Sequence, residues 1–96
     1  MSLFVVKHEH SAETCPAGNP QMAPFLQQHV SPPNVEEHGM TLHGEAVIDG
    51  GHTLYLILDA PDQDRVENYM APFTQVGSVE VMPASSCEAV VARAAC

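Results

Sequence analysis

The chain has 96 residues, a length that accommodates one domain with a single hydrophobic core. Its formal net charge is −9 with only three Lys and Arg residues, which excludes a surface that neutralises a run of nucleic-acid phosphates or an anionic membrane. Hydrophobic residues make up 45% of the chain, which is typical of a folded protein, and no apolar stretch is long enough to span a membrane.

The first half of the chain is expected to form a strand, a helix and a second strand. Residues 3–10 alternate in the way that predicts a strand. Asn19-Pro20 marks a helix start, and apolar residues then recur at helical spacing as far as His29. Prolines end this helix, residues 35–39 are expected to form a helical turn, and residues 40–48 a second strand.

The second half begins with a hairpin turn at Asp49-Gly50-Gly51, where glycines supply positive φ angles. Residues 52–59 predict a third strand that is apolar on both faces, as a central strand should be. A second helix follows with a clean apolar stripe and closes at Pro72. Residues 78–82 predict the fourth strand, and the tail at 85–96 either extends a strand or forms a short helix.

The predicted order β-α-β-β-α-β is the split arrangement of ferredoxin-like folds. Right-handed crossovers place both helices on one face of a four-stranded antiparallel sheet, with spatial order fourth, first, third, second. The other face is bare and partly apolar, and such a face commonly pairs with a second copy. The sequence therefore predicts a single α+β domain over residues 1–96.

The element order, the Gly-Gly hairpin, the leucine-rich third strand and the Val79-Glu80-Val81-Met82-Pro83 ending resemble the dimeric α+β barrel superfamily. Within it, residues 51–83 resemble small uncharacterised bacterial domains. The resemblance implies a homodimer whose two sheets face each other. Members of the superfamily include monooxygenases, dehydratases, isomerases and proteins of unknown role, and no catalytic motif carries over to this sequence.

Histidines near the end of the first strand give the leading functional hypothesis. His8 and His10 are two residues apart and so project from one face of the strand. If the third strand runs antiparallel beside the first, His52 lies near them, and Cys15 follows on the loop that leaves this end. Imidazole and thiolate are ligands for Zn, Cu, Ni or Fe, so these four residues predict a transition-metal or small-ligand site. The alternative is a set of solvated or barrel-lining histidines.

A second hypothesis is a small barrel enzyme, of the cofactor-free monooxygenase or isomerase type. His43 and Glu45 share one face of the second strand, and Tyr55 on the third strand is expected nearby. A histidine beside a carboxylate is a competent proton-transfer pair. The alternatives are a solvated polar patch or a dimer contact.

The cysteines Cys15, Cys87 and Cys96 are odd in number and form no C-x-x-C pair, so no disulfide framework is expected. Reduced thiols and an N-terminus without a signal-peptide pattern favour a cytoplasmic protein. The position of Cys15 ahead of the first helix also admits a redox or nucleophilic role. A third interpretation of the whole chain is a regulatory or interaction module without chemistry.

Overall fold

The computed structural model describes the backbone of residues 1–96 and every side chain except that of Pro16. Its strands form one antiparallel sheet and are named β1 (Ser2–His10), β2 (Thr41–Val47), β3 (Thr53–Ala60) and β4 (Gly77–Ala84). The helices are α1 (Met22–His29), α2 (Pro32–Glu37), α3 (Gln63–Met70) and α4 (Cys87–Arg93). Short 3-10 turns lie at Ala12–Thr14, Pro16–Gly18 and Ala71–Gln75. None of the helices in the described part of the chain has the length and apolar content needed to cross a membrane.

The strand order across the sheet is β2-β3-β1-β4, with β1 and β3 in the centre. This order, and the β-α-β-β-α-β sequence of elements, confirm the ferredoxin-like α+β prediction. Of the two predictions for the tail, the short helix is right, since α4 follows β4 directly. The helical turn expected at residues 35–39 begins earlier, at Pro32, and ends at Glu37. Pro32 and Pro33 sit in the first turn of α2, where their missing N–H groups need no partner.

The hydrophobic core lies between the sheet and the helices on one of its faces. Alternate residues of the two central strands, among them Val6, Leu56 and Leu58, are completely buried there. The stripe predicted for α3 supplies Val66 and Met70 to the same core. The helix-facing row of β1 also contains one polar side chain, that of His8, which is only 1% exposed.

Local hydrogen bonds explain where the helices begin and how the hairpin turns. The Asn19 side chain accepts from the Gln21 N–H at 2.8 Å, so it organises the entry to α1. Asp62 caps α3 by accepting from the Arg65 N–H at 2.8 Å. In the hairpin only Gly50 takes a positive φ, 72°, while the Gly51 N–H donates to the Ile48 carbonyl at 3.0 Å.

Candidate metal centre

The pairing of β1 with β3 brings two of the predicted histidines together. The strands are antiparallel with Glu9 opposite Thr53, so His10 ends one strand beside His52 just before the other begins. The His10 N–H donates to the His52 carbonyl at 3.1 Å, and the two ring centroids are 5.2 Å apart. The prediction that β3 runs antiparallel beside β1, on which the metal hypothesis depends, is therefore confirmed.

Cys15 completes a compact group with these two rings. A ring nitrogen of His10, a ring nitrogen of His52 and the Cys15 Sγ all lie within 4.8 Å of one another. Metal–ligand bonds of about 2.0–2.3 Å put donor atoms on one tetrahedral ion roughly 3.3–3.6 Å apart. Small side-chain rotations would close the remaining difference, because all three side chains are only partly buried.

Hydrogen bonds hold the loop that carries Cys15 in place beside the start of β4. Thr14 Oγ1 donates to the Val76 carbonyl at 3.1 Å, and it lies 3.0 Å from Ser11 Oγ. The Gly18 N–H donates to the Cys15 carbonyl at 3.3 Å. These bonds hold Cys15 over the end of β1, ahead of α1, which begins at Met22.

Three histidine nitrogens at this site lack the hydrogen bonds that buried polar atoms normally make. Both ring nitrogens of His10 and Nε2 of His8 are shielded from solvent without a partner among the described residues. An unpaired buried polar group costs about 1–3 kcal/mol. A bound ion would supply the missing partner to a nitrogen of His10.

His8 stands beside this three-atom group. Its Nδ1 lies 3.1 Å from the Ser78 carbonyl oxygen, and because a carbonyl only accepts, Nδ1 carries the proton. The lone pair of the neutral ring is therefore on Nε2. The ring centroid lies 5.2 Å from that of His10, and both rings line a cavity of about 50 Å³ together with Cys15 and His52. The four predicted residues thus converge, with three donor atoms in the compact group and His8 adjacent.

Burial favours the neutral form of His8 and of His10. Loss of solvation lowers the pKa of His8. Loss of solvation also lowers the pKa of His10, and the neighbouring His8 and His52 add to the effect. Neutral imidazole is the form that binds a metal, so this part of the site needs no deprotonation near neutral pH.

The metal-free protein is expected to lose stability as the pH falls below about 6.5, where unfolded histidine takes up a proton. The sign follows because the lowered pKa values of His8 and His10 leave the folded chain with fewer bound protons than the unfolded chain. Thermal denaturation in chelator between about pH 7.5 and 5.5 measures the effect. His8→Phe should flatten the dependence, because it removes one of the two imidazoles whose pKa burial lowers. A wild-type melting temperature that is constant over this interval would contradict the assignment.

Gly77 lets β4 approach the end of β1 that carries the site. It lies opposite His10 in the β1–β4 register. A Cβ atom at this position would overlap the Glu9 carbonyl oxygen and crowd the His10 backbone. The absence of a side chain at Gly77 is therefore required for the strand pairing that positions His10.

The three residues of the catalytic hypothesis are distributed over both faces of the sheet. The β2–β3 register shifts between Leu42 and Gly44, so the regular alternation assumed from the sequence is broken at His43. His43 Nε2 donates to Asp59 Oδ2 at 2.7 Å, whereas Glu45 lies opposite the buried Leu56. Tyr55 lies on the face opposite that of Leu56, since neighbouring residues of β3 alternate. A histidine–carboxylate pair is thus present at β2, but its carboxylate is that of Asp59.

The two remaining histidines, which the sequence did not interpret, have structural contacts: His29 connects α1 with α3, and His38 caps the end of α2. The His29 ring stacks on Tyr69 at a centroid distance of 4.3 Å, and its Nε2 donates to the Tyr69 carbonyl at 2.8 Å. The Tyr69 hydroxyl in turn donates to the His29 carbonyl at 2.6 Å, and burial raises the pKa of this phenol far above its ordinary value. His38 Nδ1 donates to the Asn34 carbonyl at 2.8 Å. The position of His29 on the apolar face of α1 was the available signal.

The comparisons with known proteins give a family and no activity. A family model described as "Domain of unknown function (DUF3303)" matches residues 3–95, and the chain therefore belongs to this family. A search of curated proteins finds no match to the sequence.

Proposed function

We propose that this member of the DUF3303 family binds a transition-metal ion through His10, Cys15 and His52. The observation that carries the proposal is the convergence of two imidazole nitrogens and one thiol sulfur within 4.8 Å. A nitrogen and sulfur set is typical of zinc and other first-row transition metals, whereas magnesium and calcium require oxygen ligands. Zinc is the ion we favour, because it accepts this mixed set without a redox requirement.

The charge of the site and of the chain supports a divalent cation. The complex of a dipositive ion with one thiolate and two neutral imidazoles has a net charge of +1. The net charge of −9 also attracts cations to the protein. A thiolate ligand requires reduced Cys15, the state that the cytoplasm maintains, and we propose that the protein acts there.

Metal content after dialysis tests this proposal. Protein purified without an affinity tag is equilibrated with zinc, dialysed against metal-free buffer, and measured by elemental analysis. We expect one tightly held ion per chain, and the same stoichiometry in His43→Gln, whose histidine lies outside the group. Loss of all zinc on dialysis, or equal loss of zinc from the wild type and a His10→Ala variant, would overturn the proposal.

We also propose that the chain forms a homodimer through the sheet face that the helices leave uncovered, as its resemblance to dimeric barrels implies. Leu3, Val5 and Met82 lie on this face with Ile57, which is 44% exposed. Exposed apolar surface at the centre of a sheet is typical of an interaction site.

Charge placed at the centre of this face should separate the two copies. Ile57→Lys is expected to give a monomer in sedimentation velocity, because a dimer would bury two unpaired ammonium groups. Val91→Lys on α4, 77% exposed, is the matched control and should leave the dimer intact. A wild-type chain that sediments as a monomer would contradict the proposal.

A further inference from the structure

A large groove adjoins the metal cavity. It has a volume of about 660 Å³ and runs between β2 and the segments that form α1 and the start of α2. The groove and the 50 Å³ cavity share four apolar wall residues, Ala17, Leu26, Val47 and Leu54. Small-molecule sites commonly have volumes of about 300–1,000 Å³ and mostly apolar walls. The groove therefore has the dimensions of a ligand site and opens beside the histidines.

The metal group itself leaves a coordination position for such a ligand. Among the described residues it contains three protein donors, whereas zinc in proteins prefers four ligands. Zinc sites with three protein ligands keep the fourth position for water or substrate. The unpartnered Nε2 of His8 in the same cavity offers a hydrogen-bond acceptor to whatever occupies that position.

We infer that the groove binds a small, mostly apolar molecule whose nitrogen or sulfur donor occupies the fourth coordination position of the bound metal. This inference rests on the proposed function. Leu26, Val47 and Leu54 would contact the apolar body, because these three residues line both the groove and the cavity that holds the donors.

The charge around the groove defines the ligand class more closely. His43 and Glu45 are the ionisable residues that line the groove, and His43 is paired with the Asp59 carboxylate. Glu45 is exposed, and the chain as a whole carries a net charge of −9. An anionic body would be repelled, so the ligand is neutral or cationic away from its donor atom. A carboxylated analogue should bind more weakly than the corresponding neutral ligand. Glu45→Gln should reduce this difference in affinity.

The test uses the full chain loaded with Co²⁺, whose visible absorption changes when a ligand joins the metal. Two probes, imidazole and 4-phenylimidazole, present the same donor, but only the second has an apolar body. We expect both to change the spectrum and 4-phenylimidazole to bind at least about 10-fold more tightly, because its ring enters the groove. Ala23→Phe, which narrows the groove away from the donors, should reduce this advantage and leave the affinity for imidazole unchanged.

The outcomes separate this inference from the metal proposal. If the chain binds no cobalt, both the metal proposal and the groove inference fail. Bound cobalt whose spectrum responds to neither probe means that the protein closes the fourth position, and the groove inference fails while the metal site stands. If the two probes bind with equal affinity, or if 4-phenylimidazole keeps its full advantage over imidazole in Ala23→Phe, the groove is not the binding site and the inference fails.

Discussion

Replacing Cys15 with serine, or His10 or His52 with alanine, is expected to weaken zinc binding by about 100-fold or more. Each change removes one of the three donors that lie within 4.8 Å of one another, and loss even of residues that only orient a ligand costs about 10- to 100-fold. Competition against a chromophoric chelator measures the affinity. Cys87→Ser is the matched control, because Cys87 is an exposed free cysteine on α4, outside the group.

The pattern across the variants separates a metal site from accidental proximity. His8→Ala should have a smaller effect, about 10-fold, since the His8 ring is not a donor in the group but packs beside the His10 ring, at a centroid distance of 5.2 Å. The order expected is therefore a large effect for the three donors, a moderate effect for His8, and none for Cys87. Equal affinities for Cys15→Ser and Cys87→Ser would show that the thiol does not bind the metal.

Gly77→Ala is expected to destabilise the fold by about 3 kcal/mol, at the upper end of ordinary single substitutions. The added Cβ would overlap the Glu9 carbonyl oxygen, so β4 could keep its register only by moving away from the end of β1. Urea denaturation followed by circular dichroism measures the loss. The same movement should weaken zinc binding, because His10 is the residue paired with Gly77.

Gly44→Ala provides the comparison for this prediction. It is also a strand glycine, but a Cβ there meets no atom within 4 Å and its φ is not positive. It should therefore be neutral or slightly stabilising, because alanine reduces the freedom of the unfolded chain. Equal losses of stability in the two variants would show that β-strand propensity, and not the close approach of β4, determines the effect.

The approach of His10 to His52 could be predicted because it depends on short-range signals. The Gly-Gly turn and the apolar third strand specify the hairpin, and the ferredoxin-like order then puts β3 antiparallel to β1. Cys15 follows β1 so closely that the loop cannot carry it far from His10. Three of the four predicted donors are close together for these reasons.

Other features of the fold and of the site could not be predicted, because they depend on tertiary packing. The register shift after Leu42 adds a residue to β2. Gly44 is the local signal for such a bulge, but it does not specify that His43 then pairs with Asp59. The bond from His8 to the Ser78 carbonyl depends on the register of β4, which follows β1 only after a long separation in sequence. The groove depends on where α1 ends and α2 begins, and no local motif specifies that angle.

X-ray absorption spectroscopy at the zinc edge of the stoichiometric complex tests the central claim most directly. We expect one sulfur at about 2.3 Å and two or three nitrogen or oxygen neighbours at about 2.0–2.1 Å, with the imidazole scattering pattern of two histidines. In Cys15→Ser loaded at excess zinc, the sulfur contribution should vanish. A wild-type spectrum without sulfur, or with only oxygen neighbours, would contradict a metal centre built from His10, Cys15 and His52.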